Sequence, residues 1–217
     1  MAFERNPWRE FIGGGRGRPP QLLAAWLVAL AVGCFGGMFW ELGPVLDGLR
    51  LSAAVWEDGQ VWRVVTYAFV GWGGVSPWTL IQLVLVYWFS MELIVWIGWP
   101  RVRVLLLSGV LVAGAAAVVV QLASDASGGP DNHNPFCLMQ GQHVVIAIAL
   151  AAFARCNQNA TVTTPGFLLG LPVPVRWMVP LHLLYALAGF AATRDLGGLV
   201  GVGVATWWGF RVRATRG

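Results

Sequence analysis

The chain contains no lysine, and charge of either sign is scarce. All 14 basic residues are arginine, 10 residues are acidic, and charged side chains make up 11% of the 217 residues, against roughly 25% in soluble domains. So few charges could not cover the surface of a soluble fold this size. The scarcity excludes an ordinary soluble enzyme, a disordered chain and a nucleic-acid binder. Cysteine is equally sparse. Cys34, Cys137 and Cys156 stand far apart and form neither a metal motif nor a disulfide framework, so no role is assigned to them. What is present is apolar. Hydrophobic residues make up 57% of the chain and the mean hydropathy is +0.66, the composition of a polytopic membrane protein.

A helix needs about 20 apolar residues to span a bilayer. Six stretches qualify as predicted spans, at about 22–40, 78–99, 102–122, 144–154, 177–192 and 196–210. The first follows a polar leader too long for a typical signal peptide, and apolar sequence continues past Cys34, so it reads as an uncleaved span. With the N-terminus inside, eleven arginines fall on inner segments, and only Arg50, Arg63 and Arg194 fall on outer ones. That bias puts both termini in the cytoplasm. The expected organisation is a cytoplasmic Arg/Gly-rich tail over 1–20, a membrane domain over 21–212 and a short cytoplasmic tail over 213–217. The location is a bacterial-type inner membrane. The leader's arginines suit anionic headgroups. The first outer loop, Glu41 to Pro77, mixes charge with aromatics and is expected to lie on or partly in the outer interface.

The fourth span is too short. Val144 to Ala154 is 11 residues before Arg155, roughly 17 Å of helix against a hydrocarbon core of about 30 Å. With Arg155 at the inner interface, His143 lies roughly 10 Å below the outer one. The polar stretch 132–142 must then enter the membrane, which is tolerated only inside protein or beside a water-filled cavity. An outward-facing polar pocket with His143 near its floor is the expectation. Asp195 starts the sixth span at a similar level. Two roles fit it: a plain helix cap, or a cap that also pairs with His143. Gly197, Gly201, Ala205 and Gly209, each four apart, make a small-residue stripe, which predicts close packing of the fourth and sixth spans.

Several of these segments together resemble the rhomboid family of intramembrane serine proteases. Trp62-Arg63, followed by Val64-Val65-Thr66-Tyr67, resembles the family's first-loop motif. Glu92, the turn Gly98-Trp99-Pro100-Arg101 and Leu105-Leu106-Leu107-Ser108-Gly109 resemble its second-to-third helix junction. Leu196-Gly197-Gly198-Leu199 with Gly201 resembles its sixth helix. The resemblance covers about Val61 to Phe210 and implies an all-α, six-helix rhomboid-like bundle with a short buried fourth helix. It also implies a side gate between the second and fifth helices that admits a transmembrane segment.

The catalytic positions depart from the family pattern. Gly141-Gln142-His143-Val144 occupies the place of Gly-x-Ser-Gly, so His143 stands where the serine is expected. Asp195 stands where the family keeps its histidine. Trp78 and Gln82 match the positions that serve the oxyanion. Acyl transfer needs an activated hydroxyl and aimed donors, and His143 has no hydroxyl. No other serine forms a recognisable pair. His182 is expected near the inner side without a partner. Glu92 is expected to hold the first outer loop or a helix end.

The function expected from these departures is a membrane pseudoprotease without catalytic residues. It would bind membrane lipids and a transmembrane protein partner, or act as an accessory subunit of a larger membrane complex, and would need no cofactor and bind no nucleic acid. The alternative is an active intramembrane peptidase with non-standard residues. His143, His133, Asp131 and Asp195 have zinc-binding atoms but match no ligand spacing, so no metal is assigned. A transporter is disfavoured, since the spans show no paired broken helices.

Overall fold

A computed structural model describes residues 20–36, 42–70, 77–127, 142–163 and 172–212 of the chain. The N-terminal tail, Asp131, His133, Cys137, Gly141 and the polar stretch meant to enter the membrane lie outside the described residues. So do the side chains of Cys34 and Trp78.

The fold is helical. The elements are α1 (Gln21–Gly36), α2 (Gly43–Asp47), α3 (Ala54–Glu57), α4 (Arg63–Thr66), a 3₁₀ turn (Tyr67–Phe69), α5 (Pro77–Ile97), α6 (Trp99–Ala126), α7 (Gln142–Cys156), β1 (Thr161–Thr163), β2 (Pro172–Pro174), α8 (Val175–Thr193) and α9 (Leu196–Phe210). Each of the six predicted apolar stretches contains a helix. Three are long and apolar enough to cross a membrane, at Leu80–Ile97, Trp99–Ala126 and Val175–Thr193, whereas those at Gln21–Gly33, Gln142–Cys156 and Leu196–Phe210 are shorter. The helices expose large apolar side chains such as Val28, Val95, Val104, Val119 and Leu184 on their outer faces. Such surfaces mark membrane contact rather than water.

The central helix is α7. Every side chain from Val144 to Ala154 is buried, and α7 packs against α5, α6, α8 and α9. Its 15 residues make about 22 Å of helix, still well short of a bilayer core. Phe89 of α5 and Phe153 of α7 meet with ring centroids 5.4 Å apart. On the other side α9 lies backbone to backbone on α7. A Cβ added at Gly209 would meet the Ile148 carbonyl oxygen and lie 2.7 Å from the Ala151 Cβ. Gly109 of α6 likewise has Ile148 Cδ1 and Trp208 Cδ1 within 2.9 Å of where a Cβ would sit. Small residues therefore set the spacing of α6, α7 and α9, as in close-packed membrane helices. Between α5 and α6 the chain turns on Gly98 alone, at φ 81°, a conformation glycine adopts without steric cost.

Two expectations need correction. The first outer loop is not simply an interfacial layer. It folds into α2, α3, α4 and the 3₁₀ turn, and Tyr67, Ala68 and Val70 are buried in the bundle, because this apolar segment finds a cleft lined by α1, α6 and α7. The link from α7 to α8 carries a short antiparallel ladder that the sequence reading did not anticipate. In it Thr161 pairs with Pro174, Val162 with Val173 and Thr163 with Pro172. Three-residue strands with two prolines leave no periodic signal, and proline cannot donate to a ladder.

Candidate functional site

The first turn of α7 brings together groups from three helices. Gln142 Nε2 donates to Gln82 Oε1 of α5 at 2.7 Å. The Gln82 Nε2 lies 3.5 Å from His143 Nδ1, a long contact. Both glutamines are buried, and each meets the other because a buried carboxamide must find partners. On its other face the His143 ring stacks on Tyr185 of α8, with centroids 6.0 Å apart and planes at 20°. Tyr185 in turn lies 6.4 Å from the ring of His182. The His182 Nε2 is buried and has no hydrogen-bond partner among the described residues.

Tyr185 stands near the midpoint of α8, about 15 Å along the helix from Val175. His143 is therefore level with the middle of a long apolar helix, although it starts its own. His182, expected near the inner side without a recognisable pair, sits one turn along α8 from Tyr185 and so from the level of His143. Neither His182 nor Tyr185 carries a sequence motif. The only available signal was a histidine inside an apolar span, which is costly unless it faces a partner.

Asp195 is the N-cap of α9. Its Oδ1 accepts from the Gly198 N–H at 2.6 Å, and the side chain is buried. The carboxylate folds directly over Gly198, where a Cβ would lie 2.6 Å from the carboxyl carbon. Glycine at the third helical position is what lets this cap close. Both expected roles include this cap, and it is in place. His143 meets Gln82 and Tyr185, and Asp195 meets the start of its own helix.

The remaining motif residues are structural. Arg63 is 8% exposed. Its Nε donates to Gln60 Oε1 at 2.6 Å. One terminal nitrogen serves the carbonyls of Asp47 at 2.7 Å and Arg50 at 2.9 Å, and Ser52 Oγ at 2.8 Å. This ties the turns after α2 to those before α4. Burial pulls the guanidinium pKa down from its ordinary value, while Asp58 and Asp47 pull it up; guanidinium stays charged in proteins. The Trp62 indole donates to the Gly48 carbonyl at 3.2 Å, closing the same loop. Glu92 lies in the last turns of α5, about 22 Å along that helix from Pro77. Gly197, Gly198 and Gly201 are buried on α9.

Three serine and threonine hydroxyls described in α5, α6 and α9 make no bond to this cluster. Ser108 Oγ donates to Val104 O at 2.6 Å and accepts from Trp208 Nε1 at 3.0 Å. Thr206 bonds back to Val202 O at 2.8 Å, and Ser90 Oγ is buried without a partner. The Cys156 thiol is at the opposite end of α7 from His143. Among the described residues, no three His, Cys, Asp or Glu side chains gather in a group that could hold a metal ion. The arrangement is a set of carboxamide, imidazole and phenol side chains gathered inside an apolar bundle. No protein-family model matches the chain, and no curated protein matches it.

Proposed function

We propose that this protein is a rhomboid-like pseudoprotease of six membrane spans with both termini in the cytoplasm. It holds transmembrane segments of partner proteins, or serves as an accessory subunit of a membrane complex. Helices at all six apolar stretches, three of them long and apolar enough to cross a membrane, support the span count. The central observation is the fate of the two submerged positions. His143, in the serine's place, is bound to Gln82 and stacked on Tyr185. Asp195, in the histidine's place, caps a helix. Acyl transfer has no nucleophile there.

Helix α8 is the natural side for a partner. It packs on α7 and α9 and hardly touches α5, and it exposes Leu181, Leu184 and Leu187. A helix arriving between α5 and α8 would meet the His143 cluster.

The test is a cleavage assay on transmembrane substrates with purified protein in lipid. The expected result is no cleavage by the wild type. Cleavage that disappears in His143→Ala or Asp195→Ala would overturn the reading in favour of a peptidase with unusual residues. Reporter fusions at both ends, expected to report cytoplasm, check the orientation.

A further inference from the structure

The polar cluster does not end inside the bundle. It begins at the buried Gln142–Gln82 pair and passes through His143 to Tyr185. Tyr185 is 44% exposed, midway along a helix whose neighbouring leucines face outward. Beside it, the His182 Nε2 is buried and unpartnered. An unpaired imidazole nitrogen in an apolar surrounding has lost its water without gaining a partner, and that cost is returned when a partner arrives. The Tyr185 ring, 6.4 Å from that of His182, is half-exposed, and a partner reaches the nitrogen as side chains on this face change rotamer.

The chemistry of the missing partner is constrained. A neutral imidazole nitrogen is a donor or an acceptor according to tautomer, and a hydroxyl or a carboxamide can answer either. A charged side chain would carry its full desolvation penalty to the middle of the membrane. We infer that the α8 face around His182 and Tyr185 docks a partner transmembrane helix carrying one uncharged hydrogen-bonding side chain, a hydroxyl or a carboxamide, near its midpoint. The inference rests on the partner-binding reading and adds what the partner must contain. His182 is the specificity-determining residue, and the exposed leucines of α8 supply contact that is indifferent to sequence.

Two synthetic Leu/Ala transmembrane peptides test it, identical except that one has a single central Asn. Binding to the full-length protein in phospholipid nanodiscs is read by energy transfer, at peptide dilutions where the Asn peptide does not pair with itself. The Asn peptide should bind roughly three- to thirtyfold more tightly than its parent, the range measured for hydrogen bonds between membrane helices. His182→Phe, which keeps a ring but no nitrogen, should abolish the difference between the two peptides, whereas His182→Gln should keep it. Equal binding of both peptides to the wild type overturns this inference and leaves the partner reading standing. A preference that survives undiminished in His182→Phe also overturns it. Binding of neither peptide removes the partner reading and the inference together.

Discussion

The Tyr67 hydroxyl donates to the main-chain carbonyl of Val110 at 2.7 Å, across 43 residues of sequence. The tyrosine belongs to the loop before α5, and Val110 lies well inside α6. A segment that sequence assigns to the surface is thereby plugged into the bundle, with its ring fully buried. Val64 and Tyr67 close on Gly114 of α6, where a Cβ would lie 3.0 Å from Tyr67 Cε1. Tyr67→Phe keeps the ring and removes one bond. The Val110 carbonyl retains its place in the helix ladder, so the expected loss is about 1 kcal/mol, measured as a lower unfolding midpoint in detergent.

The same residue sets an alkaline limit. Burial pushes the Tyr67 pKa above its ordinary value. Above pH of about 10 the unfolded chain releases this proton and the folded chain keeps it. The unfolded state then binds fewer protons, so stability falls as pH rises. The wild type should therefore lose stability more steeply above pH of about 10 than Tyr67→Phe does. Parallel slopes from paired pH titrations of the unfolding midpoint would contradict the assignment.

Arg63 holds the preceding turns through acceptors that no other side chain could serve at once. Two of them are backbone carbonyls and one is a serine hydroxyl. Arg63→Ala leaves these groups without their donor and should cost about 2–4 kcal/mol. Arg63→Lys should recover little, since an ammonium lacks the planar fork that reaches both the carbonyl side and Gln60. Limited proteolysis is the direct readout: cleavage near Glu57–Gln60 should accelerate in both variants and stay slow in Trp62→Phe, which removes only the outer bond to Gly48.

At the head of α9, the cap and the glycine beneath it act as one unit. Asp195→Ala should lower stability by about 1–2 kcal/mol and Asp195→Asn by much less, because the amide oxygen still accepts from Gly198. Gly198→Ala should mimic Asp195→Ala, since the new methyl occupies the space of the carboxylate. Thermal unfolding of the three variants distinguishes this from an ion pair, for which Asn would be as damaging as Ala.

The pattern of these residues explains what the sequence could reveal. Apolar runs bounded by arginine and glycine locate the six main helices, because hydrophobic length is a local property. The shortness of α7 is equally local, and so is the spacing of the glycines on α9. The site is only half legible. His143 and Gln82 stand out by motif position, and Asp195 by its place before Leu-Gly-Gly. Tyr185 and His182 do not, because what brings them to His143 is the depth of α8 relative to α7. Between the two helices lie β1 and β2, three-residue strands that leave no pattern. The burial of Tyr67 is hidden for a similar reason: its partner is a backbone carbonyl, which every residue has.

The glycines of α9 allow a matched test of how the bundle is held together. Gly209 touches α7 so closely that an added Cβ would meet the Ile148 carbonyl oxygen and sit 3.1 Å from the Ala152 nitrogen. Backbone atoms cannot swing aside as a side chain can, so α7 and α9 would have to separate. Gly203, on the same helix, has nothing within 4 Å of its Cβ position. Both substitutions to alanine bring the same gain in helix propensity, about 0.5–1 kcal/mol. Only Gly209→Ala adds overpacking, about 1–3 kcal/mol. Gly203→Ala should be neutral or slightly stabilising and Gly209→Ala destabilising, with a difference of about 1–3 kcal/mol between them in reversible detergent unfolding. Equal effects would mean that α9 does not rest on α7 at Gly209, and the short central helix would lose the contact that keeps it buried.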